Sequence, residues 1–276
     1  MKILLYNVKR KKFILGEIQM KSFNKITSLL LLLVLSVGIL ASCGDPAGPQ
    51  PQQTDNYVAN VEIRFATNDD AMKAAVDAMS SSKSTVYVTK DEMRIETSAE
   101  MNGISLTDNY VYFLGILYHE NKITVNDQSY AEYKMATVGE ADREKLLSDV
   151  GAGAGAGVDV SDFEIQDMTG DEKNAIYTCS NIKDDAKNSL QAIYASNFSA
   201  LNATVELSGA EYTLETENGR DKSSTLSCHF VIDMDGKSYE ITMHITTTYD
   251  YEAKFGISAP FNIDDYIEVG YDEIIK

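Results

Sequence analysis

Three cysteines and three histidines are the residues of this 276-residue sequence best suited to chemistry. His229 and His244 flank a turn signal at Asp235-Gly236 and fall as diagonal neighbours on one face of a hairpin, close enough in principle to share a metal ion. No third ligand accompanies them, so two solvated histidines are the expectation. His119-Glu120 follows a tyrosine-rich stretch and reads as a loop pair. Asp233-Met234-Asp235-Gly236 opens like a calcium loop, but Lys237 holds the fifth position and His244 the twelfth, where a carboxylate ligand is needed. The sequence contains no G-x-S-x-G, H-E-x-x-H, C-x-x-C or Walker pattern. Its 42 carboxylates are too numerous for any one pair to stand out as an acid–base dyad. A non-catalytic protein with no cofactor and no metal site is therefore expected.

The cysteines divide into two kinds. Cys179 and Cys228 lie in alternating, strand-like segments. A bridge between them would close a loop of about 50 residues and stabilise by about 4 kcal/mol in the chain-entropy model. Two buried free thiols suit the same pattern equally well. Cys43 is different, because of what precedes it. Lys21 and Lys25 lead into the apolar run Ile26–Leu40, and the segment closes with Leu40-Ala41-Ser42-Cys43. A basic start, a short apolar stretch and small residues before a cut describe a secretory signal peptide. The apolar run is about fifteen residues, short of the roughly 20 a helix needs to cross a bilayer core. Leu-Ala-Ser-Cys resembles the lipobox of bacterial lipoproteins, in which the thiol is alkylated with diacylglycerol and signal peptidase II cuts before the cysteine.

That resemblance implies that residues 1–42 are a leader, that Cys43 carries the acyl chains (diacylglycerol and palmitate), and that the mature chain is lipid-anchored outside the cytoplasm. The site would be the outer face of the cell membrane, or the outer membrane of a Gram-negative host. Met20, followed by Lys21-Ser22-Phe23-Asn24-Lys25, would open a leader of ordinary length and is the expected start. Residues 43–56 form a Pro/Gln-rich tether with three of the four prolines. At about 3.1 Å per residue, ten such residues reach roughly 30 Å from the bilayer.

The leader carries seven Lys/Arg and one acidic residue. Its removal leaves 17 basic and 41 acidic side chains and a net charge of about −24. Nucleic acid is excluded as a partner, since its phosphates demand a basic footprint. Electrostatic docking on anionic lipid is excluded for the same reason. Membrane contact is then left to the acyl chains, worth about 0.8 kcal/mol per buried CH₂.

From Tyr57 onward the sequence alternates as antiparallel strands do. Met93, Ile95, Thr97, Ala99 and Met101 share one face, and Asn102-Gly103 is a hairpin turn that sets Met101 beside Ile104 and Ala99 beside Leu106. Asp235-Gly236 likewise pairs Ile232 with Tyr239, Phe230 with Ile241 and Cys228 with Met243. A tight turn at Asn218-Gly219 would bury the wrong face, so a longer loop with Arg220-Asp221-Lys222 at its tip is expected. Further strands are expected near Tyr57–Phe65, Thr85–Val88, Tyr110–Leu114, Lys122–Val125, Phe163–Met168, Ala175–Cys179, Ala203–Leu207 and Lys254–Ile257. Helices are expected over Asp69–Met79, capped by Asn68, over Glu140–Val150, and over Asp184–Ser199 with Leu190, Ile193, Tyr194 and Phe198 on its apolar side. Gly151–Gly157 alternates glycine with alanine and reads as a flexible connector. The pattern predicts one α+β domain over residues 57–276, a large curved antiparallel sheet with two or three helices packed on its concave face.

The strands of Thr85–Met135, with Tyr112, Tyr118, Tyr130 and Tyr133, and the run Tyr239–Tyr249 followed by Tyr251–Phe255, Ala259-Pro260 and Tyr266, carry a further resemblance. With the leader and tether they resemble Gram-positive lipoproteins distantly related to the LolA/LppX superfamily of carriers. The resemblance implies a half-barrel whose concave face holds lipid or another apolar molecule. Met93, Ile95, Leu106, Phe230, Ile232, Ile241, Met243 and Ile245 would line that pocket, although the same eight would serve as plain core. The alternative is a surface lipoprotein that meets an envelope component or protein partner through an acidic, tyrosine-rich exterior.

Overall fold

A computed structural model describes residues 56–77, 82–101, 103–154, 158–171, 173–198, 203–234 and 236–275. The expected leader, Cys43 and nearly all of the tether lie outside these residues. One sheet dominates the described chain. Its strands are β1 (Tyr57–Ala66), β2 (Ser82–Val88), β3 (Met93–Met101), β4 (Ile104–Phe113), β5 (Ile116–Val125), β6 (Gln128–Thr137), β7 (Phe163–Gly170), β8 (Ala175–Ile182), β9 (Thr204–Glu217), β10 (Arg220–Met234), β11 (Lys237–Asp250) and the two-residue β12 (Ile267–Glu268). The helices are α1 (Asp70–Asp77), α2 (Glu140–Ala154) and α3 (Asp184–Phe198).

The strand order is β12-β6-β5-β4-β3-β2-β1-β11-β10-β9-β8-β7. Two meanders, β2–β6 and β7–β11, are thus joined by β1, which pairs antiparallel with β2 on one side and β11 on the other. β12 runs parallel to β6 and makes the sheet mixed.

This corrects the expected fold class. Twelve strands against three helices make the described chain a sheet-dominated fold and not an α+β domain with helices packed across a concave face. The reason lies in what the helices bring. Among the described side chains of the larger apolar cluster, Met72 and Val76 of α1 and Leu190 of α3 are helical; the other buried members come from strands or the residue preceding β9. The smaller cluster receives Leu146 from α2. Among the described side chains, the strands supply most of the buried apolar residues of both clusters. Each fully buried Leu, Ile or Phe side chain contributes about 1.5–3 kcal/mol to that burial.

Local chemistry explains where elements begin and turn. Asp69, not Asn68, stands before α1, its carbonyl accepting from the Met72 and Lys73 amides. α2 runs four residues into the Gly-Ala stretch expected to be a connector; residues 155–157 lie outside the described chain. Side chains of Ile193, Tyr194 and Phe198 on α3 are likewise outside it. Lys254–Ile257 is not a strand but part of an extended segment leaving β11.

The hairpin registers of β3–β4 and β10–β11 are those expected from alternation. At Asn218-Gly219 the structure departs from expectation. The tight turn forms, with φ of 56° and 77° at its two residues, and pairs Arg220 with Glu217 and Asp221 with Thr216. A bulge between Asp221 and Ser223 then absorbs one residue, so that Leu226 meets Tyr212 and the apolar faces agree. A second bulge between His229 and Phe230 keeps β9 and β10 matched along their length.

Candidate functional site

The inner face of the sheet carries the candidate site, and strand register shows how it is divided. One row crosses the sheet from strand to strand: Asn121 pairs with Asp108, Asp108 with Thr97, Thr97 with Ser84, Ser84 with Val61, Val61 with Thr247, and Thr247 with Ser224. All but Val61 are polar. Asp108 and Thr97 are each 6% exposed, Ser224 is 4% exposed and Thr247 is fully buried. This polar seam separates the two apolar clusters. Tyr57, Ala59, Val86, Val88, Met93, Ile95 and Tyr112 lie on one side, and Ile63, Leu226, Met243 and Ile245 on the other.

The eight residues expected to line one pocket are all buried, but they are not brought together. Met93 and Ile95 belong to the smaller cluster; Phe230, Ile232, Ile241, Met243 and Ile245 belong to the larger; Leu106 lies beyond the seam on β4 and belongs to neither.

The seam is richest at β4–β5. His119 Nε2 lies 2.7 Å from Asp108 Oδ1, and Asn121 Nδ2 donates to the same oxygen at 3.0 Å. Tyr110, opposite His119 in the register, stacks on its ring at 4.3 Å with 8° between planes. The Tyr110 phenol is pushed well above its ordinary range, first by burial and then by its contact with the Asp108 carboxyl. Next along the seam, the Thr97 and Ser84 hydroxyls lie 2.9 Å apart and bond each other. His119 therefore faces a carboxylate and an aromatic ring, an arrangement suited to holding polar groups of a bound molecule.

A second polar group stands at the Tyr57 end of the inner face. Tyr57 contacts Tyr249 and Tyr251, each with ring centroids 5.9 Å away. Asp221 on β10 and Tyr212 on β9 adjoin them. Burial raises the Tyr57, Tyr212 and Tyr249 phenols, and the nearby Asp221 carboxylate adds to each shift.

Sequence reading missed His119. Alternation ends one strand at Leu114 and starts the next at Lys122, which leaves His119 in a loop between them. In the structure Leu114 and Gly115 form a two-residue turn, with φ of 50° and 82°, and β5 runs unbroken from Ile116. Leucine is not a turn residue, so the only signal was the glycine after it.

His229 and His244 lie on the outer face and satisfy themselves locally. His244 Nδ1 is 2.8 Å from the Ser227 hydroxyl and His229 Nδ1 3.1 Å from that of Thr242. Burial lowers the pKa of His244, and the neighbouring His229 lowers it further. Among the described residues no group of three His, Cys, Asp or Glu could hold a metal ion. Cys179 and Cys228 are free and buried. β9 lies between their strands, about 9.6 Å of sheet at the usual strand spacing, beyond the roughly 7 Å limit for a bridge. Burial pushes the Cys228 thiol up to about 12 and raises that of Cys179.

No protein-family model matches the chain, and no curated protein matches it. Solved structures similar to it include the crystal structure of the ywiB protein from Bacillus subtilis, 9% identical, covering 72% of this chain and 94% of that one, with a TM-score of 0.19. A score that low carries no argument about fold or function. Among the described residues no helix is long and apolar enough to cross a membrane, which says nothing of strands.

Proposed function

We propose that this chain is a lipoprotein anchored through acyl chains on Cys43, outside the cytoplasm, and that its sheet forms a non-catalytic binding module for an apolar or amphiphilic molecule. The observation that carries the binding reading is the meeting of Met93, Ile95 and Tyr112 with the Asp108–His119–Asn121 group on one inner face. Sites for small molecules are mostly apolar, with a few placed polar groups that fix orientation. An amphiphile would lay its chain along Met93 and Ile95 and its polar end on the seam. Phe230, Ile232, Ile241, Met243 and Ile245 of the larger cluster, beyond the seam, then serve as core.

Mass spectrometry of the protein purified natively from its host membrane tests both halves. Thioether-linked acyl chains on Cys43 support the anchor, and an unmodified Cys43 removes it. A stoichiometric small molecule that still co-purifies with a Cys43→Ser variant supports the binding module. A protein that stays empty when offered host lipids overturns it.

A second reading, contact with an envelope component or protein partner, is favoured by apolar side chains left on the surface. Leu114 is 78% exposed, Ile267 66% and Phe261 fully so, while Ile165, Met168 and Ile176 are exposed on β7 and β8. An empty domain whose cross-links map to these residues would replace the first reading with this one.

A further inference from the structure

The tyrosine cluster at the Tyr57 end has a chemistry of its own. Tyr57 on β1, Tyr249 on β11 and Tyr251 just beyond it contact one another, with Tyr249 and Tyr251 stacked at 6.2 Å and 16°. The face of Tyr251 already attracts a cation, since the Arg220 guanidinium carbon sits 5.2 Å above it. Tyr249 and Tyr251 are half-buried, so the cluster meets solvent on one side.

Asp221 supplies the charge. The bulge in β10 holds it opposite Thr216 on the inner face, where it acts on Tyr57, Tyr212 and Tyr249. Among the described residues no hydrogen-bond donor or cation pairs with its carboxyl. Burial raises its pKa, and the carboxylate of Asp159 raises it further. Asp159 is itself engaged, accepting from the Ser161 amide at 2.8 Å. A carboxylate that is half-buried, uncompensated and next to a second carboxylate is costly to leave as it is. Aromatic faces beside it prefer a diffuse, weakly hydrated cation to a compact metal ion.

We propose that Tyr57, Tyr249, Tyr251 and Asp221 form a binding site for an organic cation, an alkylated or quaternary ammonium group. The ring surfaces not covered by the Tyr249–Tyr251 stack or by Arg220 take the alkyl groups, and the Asp221 carboxylate neutralises the charge. The strong acidity of the chain raises the local cation concentration and feeds the site. The assignment does not depend on the seam or on any apolar ligand.

The test uses the chain's own chromophores. It has 16 tyrosines and no tryptophan, so intrinsic fluorescence reports on tyrosine directly. Full-length protein in a non-ionic detergent is titrated with choline chloride, with sodium chloride at equal ionic strength and calcium chloride as comparisons. A saturable change with choline, absent with sodium, is the expected result. Asp221→Asn should raise the half-saturation concentration roughly tenfold, and Tyr251→Leu a few-fold. Asp221→Asn removes an uncompensated buried charge, so it should fold at least as well as the parent, which circular dichroism checks. A response to choline no larger than to sodium overturns the site. Saturation by calcium alone, or unchanged choline binding in a folded Asp221→Asn protein, overturns it as well.

Discussion

Asp108 concentrates the cost and the use of the polar seam in one side chain. One of its oxygens accepts from both His119 and Asn121, and the Tyr110 phenol also bonds its carboxyl. Removing that acceptor strands three donors in a site that is almost dry, and each buried group left unmade costs about 1–3 kcal/mol. Asp108→Ala should therefore lower the unfolding free energy by about 2–4 kcal/mol in urea titrations. Asp108→Asn, which keeps one acceptor oxygen, should cost less. Equal losses for the two variants, or a loss under about 1 kcal/mol, would show that the network relaxes around the gap. Little of this was legible beforehand. Met93, Ile95 and Leu106 declared themselves as inner-face residues by alternation alone. Asp108 and His119 did not, because a polar residue at an inward position breaks the alternation that identifies the strand. Their meaning depends on a neighbour eleven residues away that only the completed hairpin supplies.

Turns and bulges decide how well the elements could be foreseen. Where a turn is made from asparagine or aspartate followed by glycine, alternation on either side sets the register residue by residue, as in β3–β4 and β10–β11. Where the chain departs from that chemistry, alternation alone does not locate the turn. Leu114 sits at φ 50° and is 78% exposed, a left-handed conformation that costs a branched side chain about 1–2 kcal/mol and offers it no burial in return. Leu114→Asn should thus raise stability by about 1 kcal/mol, read as a higher urea midpoint with an unchanged slope. No gain would mean that Leu114 is covered in solution by something the isolated chain lacks. The bulge after Asp221 was invisible for a different reason. A longer loop and a tight turn with one extra residue both restore the buried face, and alternation cannot choose between them. The choice matters, because the bulge is what leaves Asp221 facing inward among the tyrosines.

At the scale of the molecule, the segment after β11 closes what the meanders leave open. Phe255 packs on Tyr87 at 5.5 Å on the outer face of β2, and Tyr266 meets Tyr118 and Tyr133 at 5.4 and 5.3 Å. β12 then pairs with β6, and Ile274, 6% exposed, joins the smaller inner cluster. The segment therefore runs from the outer face, past the β6 edge, into the core. Open edges are templates for association, so a chain ending at Ala259 should show concentration-dependent association by light scattering that exceeds that of the intact chain. Equal behaviour of the two would show that the edge needs no cover. The abundance of strand was readable from the sequence, but the helix cover was not, because amphipathic spacing says that a helix buries a face and not how much sheet it shades.

The pairing of β1 with β11 sets Val58 beside Asp250, so β1 cannot find its second partner until all the strands from β2 to β11 have been made. Ile274, which joins the smaller cluster, is made later still. A ribosome releases β1–β6 first, and those strands must wait for β11 and the segment after it. The order of synthesis thus runs against the order of closure, and a chain whose passage is cut short leaves no finished lobe behind.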